Sequence, residues 1–435
     1  MISIIGLLLS VLTIIILVYR GLNTIPVSII ASLVIIITNG MDPWPTFTDD
    51  YGLAMKNFAG SYFLMFVLAA IFGAMMDRSG AAFSIAYWLM KKIGKQRVIL
   101  IIFLTTLILT YAGISTFLVA FTLYPIAIAL FRAADIPKKM FPGAVLAVAA
   151  TITMTMLPGT PSIQNVMPTQ YFGTTIFSAP IIGIVCSVLT FYLNYLYLVK
   201  QQKKLALAGE HFVPGANDST VNLEQSSTSD FPGLIPSLIP IIALLIALFA
   251  LKGVVESIYS VIIAMAVSIV MGLILFRHRQ SLSDVLNNGS KNGIIALIVT
   301  ASVVGFGGVV KNAPAFHSFI DLVNSLTFDP FVSSAISINI FSGITGSAAG
   351  GLGIFLTALG AKFAAANVNM DALHRIVTMS SGALDAMPHS TGAVVASSIA
   401  GLEVKETYKY IFVTCVLVPL LAVVLAIVMA EMGVV

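Results

Sequence analysis

Apolar residues run through this chain in stretches of roughly 20, the length at which one helix crosses a hydrocarbon core about 30 Å thick. About ten such stretches can be placed, with several shorter apolar ones that carry Gly or Pro inside. Only 9% of the 435 residues are charged and 58% are hydrophobic, with mean hydropathy +1.02. An ordinary soluble domain is about one quarter charged, so a water-soluble fold is excluded. The expected fold class is an all-α polytopic membrane protein whose solvent is the lipid bilayer.

Spans fall near 2–19, 24–39, 58–76, 141–172 (interrupted) and 176–198, and again near 234–250, 254–276, 293–310, 376–400 (interrupted) and 410–429. Two further stretches, 98–131 and 330–361, are apolar at both ends with Gly, Ser and Thr in the middle. They read as re-entrant hairpins, which exist at membrane depth only when buried in protein or lining a wet cavity. The segment 201–230, rich in Gln, Asn, Ser, Thr and Asp, reads as a flexible cytoplasmic linker between a first half, 1–200, and a second, 231–435. The first 19 residues lack a basic n-region and are followed by Arg20 instead of a small-residue cleavage site, so they read as a retained span.

Charge placement orients these spans. With the N-terminus outside, Lys56, Lys252, Lys311, Lys362 and Arg375 lie outside, and the other 17 of the 22 Lys and Arg lie in the cytoplasm. That asymmetry follows the positive-inside rule and makes the two hairpins open to opposite sides of a bacterial inner membrane. The net charge of +4 is an orientation signal and not a nucleic-acid surface. Cys186 and Cys415 sit inside apolar segments with no CxxC or Cys/His spacing, so no metal site or disulfide framework is expected, and no cofactor either.

The chain also matches itself at an offset near half its length. Lys56-Asn57 pairs with Lys291-Asn292, Phe72-Gly73 with Phe306-Gly307, Gly113-Ile114 with Gly343-Ile344, and Pro158 with Pro388. The first copy is entered from outside and the second from inside, so the copies read as inverted repeats, the layout of many secondary transporters. In such proteins substrate sits near the midplane, where broken helices and hairpin tips expose backbone groups and helix ends.

Four polar interruptions meet that description. The first hairpin carries Gly113, Ser115 and Thr116 at its tip, and the second carries Ser342, Gly343, Thr345, Gly346 and Ser347. Small residues also let membrane helices approach closely, so a lone Gly pattern means little, but here the pattern recurs mid-stretch in both copies. The first interrupted span reads Leu157-Pro158-Gly159-Thr160-Pro161-Ser162-Ile163-Gln164-Asn165. Two prolines stop a regular helix there, and a plain kink has no need of Thr160, Ser162, Gln164 and Asn165 beside Gly159. The second interrupted span holds Asp385, Pro388, His389, Ser390 and Thr391. Asp385 and His389 are the candidates for cation coupling, because an ionisable group inside a membrane is costly unless it functions. Their bland alternative is to cap the broken helix ends and bind each other. No basic residue is expected at the four tips, so a substrate carboxylate would be met by hydroxyls, amides and helix N-termini, with His389 as the one local cation.

The run Phe72-Gly73-Ala74-Met75-Met76-Asp77-Arg78-Ser79-Gly80, the Leu157-Pro158-Gly159-Thr160-Pro161 break and the Pro388-His389 region resemble the gluconate permease family of the ion transporter superfamily, over nearly the full chain. The resemblance implies proton-linked uptake of gluconate or a related hydroxy acid, with D-3-hydroxybutyrate and D-serine permeases among the relatives. It also implies a homodimer in which a transport domain moves against a scaffold in elevator fashion. Met154, Thr155, Met156 and Gly159 stand where the gluconate-type pattern has a histidine and additional prolines, and the 385–389 segment is more similar to the hydroxybutyrate-type branch. Sodium coupling of a carboxylate or amino-acid carrier is the alternative within this class. Outside it, an intramembrane hydrolase using Ser390, His389 and Asp385 is disfavoured because adjacent Ser and His on one broken helix cannot readily form the nucleophile-base bond. A passive channel has no need of two opposed hairpins.

Overall fold

The structure, a computed structural model, describes residues 2–20, 22–94, 96–215, 231–251, 254–314, 316, 329–388 and 390–435. Lys252 and half of the segment read as linker, 216–230, lie outside those residues, as does the stretch 317–328. The described chain is helical, with no strand among the described residues. The first half contains α1 (Ile2–Tyr19), α2 (Thr24–Asn39), α3 (Pro43–Arg78), α4 (Ala81–Ile93), α5 (Val98–Tyr111), α6 (Thr116–Ala133), α7 (Lys138–Met156) and α8 (Pro180–Leu207). The second contains α9 (Leu234–Leu251), α10 (Ser257–Leu275), α11 (Leu282–Asn312), α12 (Pro330–Thr345), α13 (Ala348–Ala364), α14 (Met370–Ser381), α15 (Thr391–Ile399) and α16 (Val404–Glu431). Seven of these, α3, α7, α8, α9, α10, α11 and α16, are long and apolar enough to cross a membrane. Their outer faces are apolar too: Ile184, Val188, Ile246, Ile274 and Val424 are each at least half exposed. A soluble protein could not leave such helices uncovered, and the chain is a multi-pass membrane protein.

Several helices run past their apolar cores. The span expected at 58–76 is helical from Pro43, because Asp42 accepts a hydrogen bond from the Trp44 N–H at 3.1 Å and Pro43 starts the first turn without an N–H to satisfy. α8 continues to Leu207, seven residues into the segment read as linker. Lys, Gln, Leu and Ala there are strong helix formers, which a reading from polarity alone undervalues.

Close packing is made possible by glycine. α11 lies along α3, and a side chain at Gly289 or Gly293 would put its Cβ 2.6 Å from the Ile71 Cα or 2.7 Å from the Val67 Cα. Backbone therefore meets backbone, the arrangement by which helices associate where lipid offers no hydrophobic drive. α10 packs on α3 in turn, and α8 packs on α16. Cys186 and Cys415 are buried free thiols within this packing.

Both polar-centred stretches are helical hairpins. α5 and α6 are joined through Gly113, whose φ of +88° suits only glycine, and α12 and α13 through Gly346 at φ +59°. Ser347 accepts a hydrogen bond from the Gly350 N–H at 3.1 Å and so caps α13. α7 stops at Met156, where Leu157 turns extended (ψ 130°) ahead of Pro158, and two single turns, Ile163–Val166 and Thr169–Phe172, lead to α8. α14 stops at Ser381 and α15 resumes at Thr391.

Candidate functional site

The two breaks and two hairpin tips are in contact. Gly113 of the first tip lies against Pro161, such that a Cβ would sit 3.0 Å from its Cγ. Just before it, Tyr111 donates from its hydroxyl to the Pro158 carbonyl at 3.0 Å, and the Thr110 and Thr153 hydroxyls meet at 2.7 Å. The first hairpin is thereby fastened to the first break. Across the centre, a Cβ at Gly382 would lie 2.6 Å from the Thr155 Cγ2, and Thr378 donates to the Gln164 carbonyl at 3.4 Å, which joins the breaks. At the second tip, a Cβ on Gly343 would stand 3.3 Å from the Leu384 Cβ. The Asp385 carboxyl faces the backbone N–H of Ala348, the first residue of α13, and the N–H groups of its own turn, at Ala386 and Asp385 itself. It thus stands at the N-terminus of α13 as well as within its own break.

The first break is internally bonded. Ser162 donates to the Met154 carbonyl at 2.7 Å and accepts from the Asn165 N–H, Thr160 donates to the Leu157 carbonyl at 3.3 Å, and Gly159 donates its N–H to the Ile176 carbonyl at 2.8 Å. Asn165 is fully buried and donates from Nδ2 to the carbonyls of Thr160 and Ile176, both at 2.9 Å. Its Oδ1 accepts from Arg375 Nη1 at 3.1 Å and lies 3.3 Å from His374 Nε2.

Arg375 overturns the expectation that no basic group reaches the tips. Placed by its charge in an outside loop, it is instead fully buried on α14, donating from Nε and Nη2 to the Ser178 carbonyl and from Nη2 to the Ile176 carbonyl. α14 begins at Met370, capped by Asn369, so a helical turn carries His374 and Arg375 inward ahead of the apolar run. His374 is buried beside it, its Nδ1 2.7 Å from the Thr174 hydroxyl. All four hydrogen bonds of Arg375 go to uncharged acceptors, and among the described residues no carboxylate forms an ion pair with it. Sequence reading passes over both residues because an Arg at the edge of an apolar stretch normally marks an interface. The signal that points to them is their position between Leu373 and Ile376 in a run with no turn-forming residue.

The other expected site residues divide by placement. Thr160, Gln164, Asn165, Ser342 and Ser390 are buried, and Gly159 turns the first break at φ +80°. Ser342 Oγ has no partner. Thr116 donates to the Met154 Sδ at 3.6 Å. Thr345 is used inside its own hairpin, donating to the Phe341 carbonyl, and Ser390 accepts from the Ala393 N–H to cap α15. Ser115 and Thr391 are exposed. Asp385 meets the helix end of the second hairpin as well as the backbone of its own break. His389 lies outside the described residues.

Broken helices whose polar loops are buried, bonded to one another and faced by hairpin tips are features that membrane transporters place around a substrate. The chain belongs to the GntP permease family: the family described as GntP family permease matches residues 2–432. The chain is also 32% identical over 433 residues to the uncharacterized transporter YxjC of Bacillus subtilis (strain 168), across 91% of this chain and 92% of that protein. The protein is a transporter and not an enzyme, which removes the hydrolase reading.

Proposed function

We propose that the protein is a secondary active transporter of the bacterial inner membrane that imports a small hydroxy-monocarboxylate, of the gluconate or 3-hydroxybutyrate kind, by proton symport. The observation that carries this reading is Arg375, a buried guanidinium beside the first break whose charge has no ion-pair partner among the described residues. Asp371, one turn earlier on α14, acts on it only at a distance, and a bound carboxylate close to the guanidinium lowers the cost of burying it. The hydroxyls and amides of Thr160, Ser162 and Gln164 suit a substrate bearing hydroxyl groups. Asp385, on the N-terminus of α13, is the proposed carrier of the coupling proton, with His389 beside it in sequence.

The order of elements supports an inverted-repeat, elevator-type arrangement: a long helix, a hairpin, a broken helix and a helix of 28 residues occur in that order in both halves. A homodimer with the N-terminus outside belongs to the same proposal. Uptake of labelled D-3-hydroxybutyrate and gluconate into proteoliposomes, under an imposed proton or sodium gradient, tests it. Uptake should follow the proton gradient and lose that dependence in Asp385→Asn or His389→Ala. Uptake that follows sodium alone transfers the coupling to that ion, and uptake of neither acid removes the substrate assignment.

A further inference from the structure

α8 has its polar and apolar faces arranged inside out. Ile184, Val188, Tyr192 and Leu196 face outward, while Ser187, Thr190 and Asn194 are buried with relative exposures of 3%, 0% and 0%. The oxygens Ser187 Oγ, Thr190 Oγ1 and Asn194 Oδ1 have no hydrogen-bond partner, and the same holds for Gln201 Oε1 further along that face. Thr106, Asn339, Ser342 and Ser380 also carry such an oxygen, but α8 gathers three along one face at 187, 190 and 194. Thr105, Thr155 and Ser397 each bond back to the carbonyl four residues earlier, at 2.7 to 2.8 Å, as buried hydroxyls in membrane helices commonly do. On α8 that option is unused, and Asn194 is held by Nδ2 on the Thr414 carbonyl at 3.0 Å, leaving its Oδ1 free.

The face leads to the candidate site. One turn before Ser187, a Cβ on Gly183 would lie 2.6 Å from the Met156 carbonyl and 3.4 Å from Arg375 Nε. The opposing helices, α7 and α16, are both π-helical where they pass, at Ala147–Met156 and Phe412–Leu417. A wider helix turn loosens the packing of its neighbours. At about 1.5 Å rise per residue, the three orphan oxygens stand roughly 4.5 and 6 Å apart along the axis. That is too dispersed for one cation, which gathers its oxygens at about 2.4 Å around a point. It suits separate water molecules, each bonded to one side chain and to the next water.

We propose that this seam holds a file of ordered water running from the first break to Asn194, and that the file is the route of the coupling proton. Leu198, fully buried on the same face, separates it from Gln201 and from the end of α8 that carries Lys200, Lys203 and Lys204. The file is therefore closed at that end in this conformation. The proton's passage rests on the symport reading above, whereas the seam rests on the orphan oxygens alone.

The test compares wild type with Thr190→Val, which keeps the shape and removes the hydroxyl, with Ser187→Ala and with Thr190→Ser. Two readouts are taken in proteoliposomes: proton-driven uptake of labelled D-3-hydroxybutyrate, and counterflow exchange of the same acid, which moves no net proton. Thr190→Val and Ser187→Ala should slow proton-driven uptake severalfold and leave counterflow at the wild-type rate, and Thr190→Ser should restore uptake. Unchanged uptake in both variants, or an equal fall of uptake and counterflow, overturns the route. A wild type without proton-driven uptake sinks the symport reading first, and the proton's passage with it.

Discussion

Replacing Asn165 by Leu, which has nearly the same shape, removes the pivot of the first break. Five interactions go: the Nδ2 bonds to the carbonyls of Thr160 and Ile176 and to the Thr160 hydroxyl, and the Oδ1 contacts with Arg375 and His374. Ile176 keeps the Gly159 N–H and Arg375 Nη2, so its carbonyl stays satisfied. The Thr160 carbonyl accepts no other hydrogen bond among the described residues, and the Nη1 of a fully buried guanidinium loses its acceptor. An orphaned buried carbonyl costs about 1–3 kcal/mol and a lost bond to a charged group about 1.5–3. The expected destabilisation is therefore about 3–6 kcal/mol, or on the order of 10² to 10⁴ in the equilibrium for opening the loop. Hydrogen exchange in nanodiscs measures it directly, because slow exchange at Gly159 and Asn165 reports that opening. Acceleration across 157–178 by that factor, with α3 and α11 unchanged, is the predicted result. An acceleration below about tenfold would show that Asn165 is not the pivot.

Arg375→Lys should move the same peptides in the same direction, because a point ammonium cannot serve the Asn165, Ile176 and Ser178 acceptors in one planar fork; wild-type exchange in this variant would contradict it. Gly382→Ala places a Cβ 2.6 Å from the Thr155 Cγ2, so detergent-solubilised protein should melt earlier, and adding Thr155→Ala should recover part of the loss in a double-mutant cycle. At the end of the first hairpin, Asp135 lies outside the spans and accepts from the Phe212 N–H at 2.9 Å, with His211 at 2.6 Å. The Phe212 N–H, and then His211, hold its carboxyl below the ordinary 3.8. A depressed carboxyl contributes attachment that is complete above its unfolded value and is lost only as pH falls through the still lower folded value. Proteolytic cleavage within 209–215 should thus stay slow at neutral pH and rise only in acid below about 4, while Asp135→Asn is cleaved quickly at neutral pH. Equal cleavage of both proteins at neutral pH would show that Asp135 does not hold the segment.

Helix breaks and hairpin tips are legible in the amino-acid sequence because each is a local event. Pro158 and Pro161 forbid a regular helix, Gly113 and Gly346 supply positive φ, and polar residues inside apolar stretches stand out against a membrane background. Helix ends are less legible, since the polar turns that extend α3 and α8 look like loops when judged by polarity. The largest departure, Arg375, follows from reading charge as topology.

The sequence by itself determined that the chain is a helical membrane protein, where its helices are interrupted, and which family it resembles, since hydropathy, proline and glycine act within a few residues. Only the tertiary structure decided that Asn165 faces Arg375 across 210 residues, that Asp385 stands at the end of α13, and that α8 turns its hydroxyls inward. Those facts depend on which helix packs beside which. In this chain that choice is made by glycine faces such as Gly289 and Gly293, whose partners can be read from contact and not from composition.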